Sequence, residues 1–266
     1  MRRIVLLFLL LNSLIANAQC ALENRAYQGG ERLSYKLYFN WKFVWITAGT
    51  ASMNTTRSTY NGKPAFRTSL ITQSSKKVDK YFMMRDTLLC YTTDDCLPLY
   101  HRKGSHEGSR YYVDEVWYTY NNGSTHLKQH AQTSKGEHRW KEGNYHECFC
   151  DMMSLFLKAR NFDASSWQKG HTERMPICDG DDVKVAYLRY NGVKTIKGED
   201  DVKYRCLDLS YLENEGKKKK EICRFFVTDD LNHLPIRIDL FLRFGTAKAY
   251  VSSMKGMRNP VTAIVK

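Results

Sequence analysis

Arg32-Leu33-Ser34-Tyr35-Lys36-Leu37-Tyr38-Phe39 is the stretch on which the fold turns. Leu33, Tyr35, Leu37 and Phe39 alternate with Arg32, Ser34, Lys36 and Tyr38. A strand sends successive side chains to opposite faces, so this period of two describes a strand with one face in a core. The same rhythm recurs outward from it. Residues 48–56, 65–73 and 84–91 are expected strands, the last two joined by a helical turn near Val78–Met83. Residues 97–103, 109–120 and 124–133 continue the meander, with Asn121-Asn122-Gly123 as a hairpin signal. Further strands are expected at 183–190, 192–198, 201–212, 221–228, 236–243 and 246–253, with Asn191-Gly192 as another tight turn.

One segment breaks the alternation. Phe149, Met152, Met153, Phe156, Leu157 and Arg160 fall at helical spacing, which predicts a central helix of about three turns. Asp151 would sit in its first turn, at the positive end of the helix dipole. No Gly/Ser-rich or Pro-rich linker divides the chain, so residues 19–254 are expected to form a single β-rich domain, followed by a basic, loosely held tail at 255–266. Many antiparallel strands must protect their edges. The expected fold is therefore mainly β, a strongly curved antiparallel sheet or half-open β-barrel with one short central helix.

Residues 1–18 read as a signal peptide. Met1-Arg2-Arg3 is basic, Ile4 to Ile15 is apolar apart from Asn12 and Ser13, and Ala16-Asn17-Ala18 supplies the small residues of a cleavage site. The run falls short of the roughly 20 apolar residues of a spanning helix, and no integral membrane span is expected. Cys20 offers a rival reading, acylation at that cysteine, which the bulky Gln19 before it disfavours. Periplasmic or outer-membrane-associated placement follows as the expectation. The formal charge is +13, or +11 once Arg2 and Arg3 are removed. Its basic residues are dispersed, and the run Lys217–Lys220 beside Gly216 reads as a solvated hairpin tip, so nucleic acid is not an expected partner.

Eight cysteines in an exported chain are expected to pair. Cys90 and Cys96 flank a turn-like stretch, and Cys206 and Cys223 flank the tip around Asn214–Gly216. The second pairing would also set Tyr204 against Phe225 and Val202 against Val227. Closing such a loop contributes about 3 kcal/mol in the chain-entropy model. Cys20, Cys148, Cys150 and Cys178 have no assigned partner at this level.

Gly30-Glu31-Arg32-Leu33-Ser34-Tyr35, Trp45-Ile46-Thr47-Ala48-Gly49-Thr50-Ala51, Asp151-Met152-Met153-Ser154 with Ala159-Arg160, Thr228 to Ile236 and Gly245-Thr246-Ala247 occur in that order. Together they resemble the exported bacterial family catalogued as domain of unknown function 3108. The resemblance implies an envelope protein and supplies no reaction or ligand. Its landmarks have structural readings. Gly49 suits a bent strand or a close backbone approach, and Asp229-Asp230 with Pro235 suits a turn before a strand starting at Ile236.

Chemistry-bearing clusters are sparse. His146-Glu147-Cys148-Phe149-Cys150-Asp151 is rich in metal-capable side chains, but its spacing matches neither CxxC pairs nor HExxH. His126 and His130 lie four apart on an expected strand, about 13 Å, and read as surface histidines. His101 and His106 fall near Gly104 and Gly108 in an apparent turn region, and Asp179-Gly180-Asp181-Asp182 reads as a solvated turn. No nucleophile elbow, phosphate loop or dinucleotide fingerprint is present, so neither catalysis nor a cofactor is expected. The expected function is binding of an apolar or amphipathic envelope component, a lipid or a lipid-linked glycan. A structural or protein-interaction module of the envelope is the alternative, and an envelope glycan hydrolase the third reading. Trp45, Tyr112, Trp117 and Tyr120 are the candidate lining residues of a groove. Arg160 would pair with an anionic headgroup or, equally, with a structural carboxylate. Oligomeric state and ligand identity are not encoded in any recognisable motif.

Overall fold

The computed structural model describes residues 20–41, 44–121, 123–243 and 245–265. The expected signal peptide at 1–18 lies outside the described residues. The first half of the chain forms β1 (Arg32–Trp41), β2 (Val44–Tyr60), β3 (Lys63–Ser74), α1 (Lys76–Asp79), β4 (Met84–Thr92), β5 (Pro98–Glu107), β6 (Arg110–Asn121), β7 (Ser124–Gln132) and β8 (His138–Tyr145). Helix α2 (Met152–Ala159) separates these from β9 (Thr172–Asp179), β10 (Asp182–Lys197), β11 (Lys203–Glu215), β12 (Lys218–Thr228), β13 (Pro235–Leu242), β14 (Gly245–Lys255) and β15 (Ile264–Val265).

All of these strands belong to one sheet, ordered β8-β7-β6-β5-β4-β3-β2-β1-β14-β13-β12-β11-β10-β9, with β15 added on β11. Two antiparallel meanders thus meet where β1 pairs β14. The sheet is not closed: β8 and β9 stand at opposite ends of the order. The two ends nevertheless approach each other. The Gln129 amide on β7 donates to the Gly180 carbonyl (2.9 Å) and the Asp182 carbonyl (3.1 Å) of the β9–β10 turn. This is the curved, half-open architecture that strand alternation predicts. The open edge β8 carries His138, Arg139, Lys141 and Glu142, all exposed, a charge pattern that discourages edge-to-edge pairing.

Inside the curve the alternating side chains meet α2. Leu33 and Tyr35 pack with Met53, Phe66, Ile236 and Val251, and Met153 and Leu157 of α2 join them. Leu155 points to a second cluster with Met175, Ile177, Leu188 and Leu209. A third cluster, Val116, Tyr118, Leu127, Phe149 and Cys178, fills the β6–β7 end. The helix is shorter than its apolar spacing suggests. Asp151 caps it, accepting from the amides of Met153 (2.8 Å) and Ser154 (2.9 Å), while the Ser154 hydroxyl accepts from the Asp151 amide. Phe149 consequently lies before the helix.

Several expectations require correction. Asn191-Gly192 is no turn: β10 runs straight through it, with a register shift between Tyr190 and Gly192. Gly192 absorbs the extra residue at φ +108°, and the Asn191 amide donates to Asp208 and Ser210 across the strand pair. Strands β8 and β9 had no expected counterpart. The tail after Lys255 is docked rather than loose: Asn232 and Asn259 exchange hydrogen bonds, Asp230 accepts from Thr262 and Ala263, and β15 pairs β11.

Neither expected disulfide forms. The β11–β12 turn is the two residues Gly216-Lys217, and with the register shift between Tyr211 and Leu212 it sets Cys206 opposite Thr228 and Cys223 opposite Tyr211. Cys206 and Tyr211 are five residues apart on a strand and therefore face opposite ways, which places the two thiols on different faces of the sheet. Leu209 and Leu207, not Tyr204 and Val202, oppose Phe225 and Val227. Cys90 lies opposite His101, and Cys96 turns at φ +58° toward the Tyr27 hydroxyl, 3.4 Å away. The bridge that forms is Cys20–Cys148, 128 residues apart, with Cys90, Cys96, Cys150, Cys178, Cys206 and Cys223 buried as free thiols. Among the described residues no helix is long and apolar enough to cross a membrane.

Candidate functional site

A narrow apolar cleft runs between α2 and the inner face of β9–β12. Strand alternation builds one wall: Met175, Leu188, Leu207, Leu209, Phe225 and Val227 all point inward. The opposing wall is Met152, Leu155, Phe156 and Ala159 of α2, and Phe162, Ala164 and Trp167 from the segment after it. That segment folds over the mouth. Trp167 stacks on His171 at 4.6 Å and lies 6.0 Å from Tyr190, while Gly170 and Tyr190 tie the segment to β10 through backbone bonds. As it stands the cleft has about 50 Å³ of free volume, far below the roughly 300–1,000 Å³ of a ligand pocket.

Arg160, His233 and Tyr211 are the ionisable groups in the lining, and each has a partner elsewhere, the Tyr211 hydroxyl donating to Glu213 at 3.0 Å. The Arg160 guanidinium makes a bidentate pair with Glu31 at 2.6 and 2.9 Å and donates also to the Asn232 and Ala26 carbonyls. Burial alone would lower its pKa, but the adjacent Glu31 carboxylate more than compensates and raises it. Arg160 is thus the structural partner of a carboxylate, not a free anchor for a headgroup. His233 bonds the Arg160 carbonyl through Nδ1 at 2.6 Å, and its burial lowers its pKa, favouring the neutral ring. No carboxylate lines the cleft, so the pair of acids that glycan hydrolysis needs is not found there.

Beside the cleft lies a buried polar knot at the head of α2. The fully buried Asp151 accepts from the hydroxyls of Ser154 (2.7 Å) and Tyr118 (3.3 Å), and His101 Nδ1 stands 3.1 Å from it. His101 thus lies in β5, not in a turn, and its Nδ1, although close to Asp151, makes no hydrogen bond there. The neighbouring thiols are held protonated by burial, the Cys150 pKa being pushed up to about 11. With no solvent access, these groups orient the helix rather than present a reactive atom. Cys148 is consumed by its bridge to Cys20, and among the described residues no three metal-capable side chains gather as a metal site.

The expected lining residues do not meet in one place. Tyr120 faces inward and donates to the Pro98 carbonyl at 2.9 Å, and Tyr112 shares that face of β6. Trp117, between the buried Val116 and Tyr118, faces outward and stacks on Trp140 at 6.0 Å. Trp45 is exposed at the far end of β2 with the Lys248 ammonium 4.5 Å above its ring. His130, expected at the surface, is buried on the outer face between Glu115 (2.9 Å) and His138 (2.8 Å). The true cleft residues carried a signal: Leu207, Leu209 and Tyr211 alternate along an expected strand. Trp167 gave none, because the segment around it has no regular period.

No curated protein matches the chain. In fold it is similar to a solved structure, a beta-barrel-like protein of domain of unknown function DUF1849 from Brucella abortus. The TM-score is 0.54 at 10% identity, over 88% of this chain and 100% of that one. A family model described as a protein of unknown function, DUF3108, matches residues 34–252, and the chain belongs to that family.

Proposed function

We propose that the protein works in the cell envelope as a non-catalytic binder of an apolar or amphipathic chain, a lipid or lipid-linked component, held in the cleft between α2 and β9–β12. The observation that carries this reading is the chemistry of the cleft walls. They are apolar on both sides, and Arg160, His233 and Tyr211 among them are each bonded to protein partners. Such a lining favours hydrocarbon and penalises any polar group without a partner. The small free volume means that an acyl chain enters only if the 161–171 segment swings outward and takes Trp167 from its stacked position.

The test is native mass spectrometry of the protein purified from its own envelope, with organic extraction of whatever accompanies it. A co-purified lipid is expected, with Trp167 emission shifting when the stripped protein is refilled. Ala159→Trp, which plugs the cleft, should abolish both. A bare mass together with Trp167 emission unmoved by fatty acids or phospholipids would overturn the reading and favour a protein-interaction module.

A further inference from the structure

We propose that the outer face of β6–β8 is a second, independent binding site, a stacking platform for the sugar rings of an envelope polysaccharide. The face is built by the same alternation that fills the core. With Val116 and Tyr118 turned inward, Trp117 and Thr119 must face out. The pairing Trp117↔Lys128 and Thr119↔His126 sets β7 side chains beside them, and β8 adds Trp140. These five residues line an open trough of about 360 Å³. Trp117 and Trp140 lie 18° from parallel, and Trp140 is 57% exposed.

The trough floor is fixed from beneath. His130 stacks on Trp140 at 4.3 Å and is itself held between Glu115 and His138. Tyr100 packs against Trp117 at 5.4 Å and donates its hydroxyl to Glu115. Both indoles are thus braced before any ligand arrives, which reduces the ordering cost of binding. Hydrogen-bonding groups flank the rings: the Thr119 hydroxyl and the His126 imidazole with Asn144 at 3.1 Å beyond Trp117, and Lys128, 5.3 Å from the Trp140 centroid, with Glu142 at 3.5 Å.

This mixture selects the occupant. No aliphatic side chain lines the trough, and an acyl chain or apolar protein surface laid there would strip water from Lys128 and Glu142 without replacing it. A pyranose ring has an apolar C–H face to lie on an indole and a rim of hydroxyls to meet the amide, imidazole, ammonium and carboxylate. Neither the inner cleft nor its lid contributes to this face, so the site stands or falls separately from the lipid reading.

The experiment is an array of neutral and acidic oligosaccharides probed with the full chain, followed by titration of any retained sugar. Trp140→Ala and Trp117→Ala should each weaken binding by at least about tenfold, equivalent to ~1.4 kcal/mol, with an unchanged thermal midpoint for the exposed Trp140→Ala. Lys128→Gln should weaken it less, and Trp167→Phe in the cleft should leave it unaltered. Absence of retention on every sugar overturns the proposal. So does retention indifferent to Trp117 and Trp140, or binding to phosphatidylglycerol vesicles that Trp140→Ala abolishes.

Discussion

Glu31→Leu and Arg160→Met, alone and in combination, probe the charge buried at the end of α2. Glu31 and Arg160 side chains are 1% and 2% exposed, and their bidentate contact joins the β1 entry to the helix C-terminus. Removing one partner leaves the other charge unsolvated, a loss of about 3–5 kcal/mol for a buried pair. For a domain of this size that lowers the thermal midpoint by roughly 6–20 °C, at ~2–4 °C per kcal/mol. The double variant Glu31→Leu/Arg160→Met removes both charges and should recover most of the loss. Its residual cost is about 1–3 kcal/mol, because the Asn232 and Ala26 carbonyls lose their donor. Urea unfolding of the four proteins gives the cycle, with unchanged slopes required for the comparison. Singles within about 1 kcal/mol of the parent would refute the reasoning, since a charge without its partner would then be tolerated in the core. So would a double variant equal to the sum of the singles. A variant that loses lipid at undiminished stability would restore Arg160 as a headgroup anchor.

The Cys20–Cys148 bridge closes a 128-residue separation, so Cys20→Ser should destabilise by up to about 5 kcal/mol on loop entropy. Non-reducing peptide mapping should find this link and no other, with the remaining six thiols alkylated only on unfolding. Asp208 tests acid stability. Burial alone would raise its pKa, but Arg224, Lys194 and the Asn191 amide together hold it below the usual carboxylate value. Its folded pKa is depressed, so its contribution is complete above the unfolded value of about 4 and disappears as pH falls through the folded one. Asp208→Asn should therefore flatten the fall of stability below about pH 4, measured as urea midpoint against pH; an unchanged slope would contradict the assignment. Gly49→Ala places a Cβ 2.0 Å from the Gln73 carbonyl, a backbone atom that cannot step aside. A loss of at least about 1–3 kcal/mol is expected in calorimetry, and a neutral result would mean that β2 and β3 can separate there.

The sequence by itself determined the class of structure. Alternation in β1, β3, β6, β7 and β11, the Gly123 and Gly216 hairpins, the close approach at Gly49 and the helix after Asp151 are local properties. Each depends on residues within a few positions of one another, and each is found close to where that local pattern places it, the Gly216 turn and the helix ends being displaced by a few residues. Within each half the strand order follows too, because short antiparallel connections leave consecutive strands as neighbours, whereas the β1–β14 pairing that joins the halves does not. What local pattern could not fix was anything whose partners lie far apart in the chain. The Cys206–Cys223 pairing failed on a turn centre misplaced by two residues, which changed the register, and on the irregularity between Tyr211 and Leu212, which changed the face. His130 read as a surface group, and Arg160 stood open between a headgroup and a structural carboxylate, until the fold supplied Glu115, His138 and Glu31. The cleft exists only because the β9–β12 wall curls against α2 and the aperiodic 161–171 segment closes above it. Curvature of a long twisted sheet sums small rotations over many strands, and no single residue carries that information. The sequence wrote the strands and their faces; which faces meet, and what they enclose, was decided by the tertiary structure.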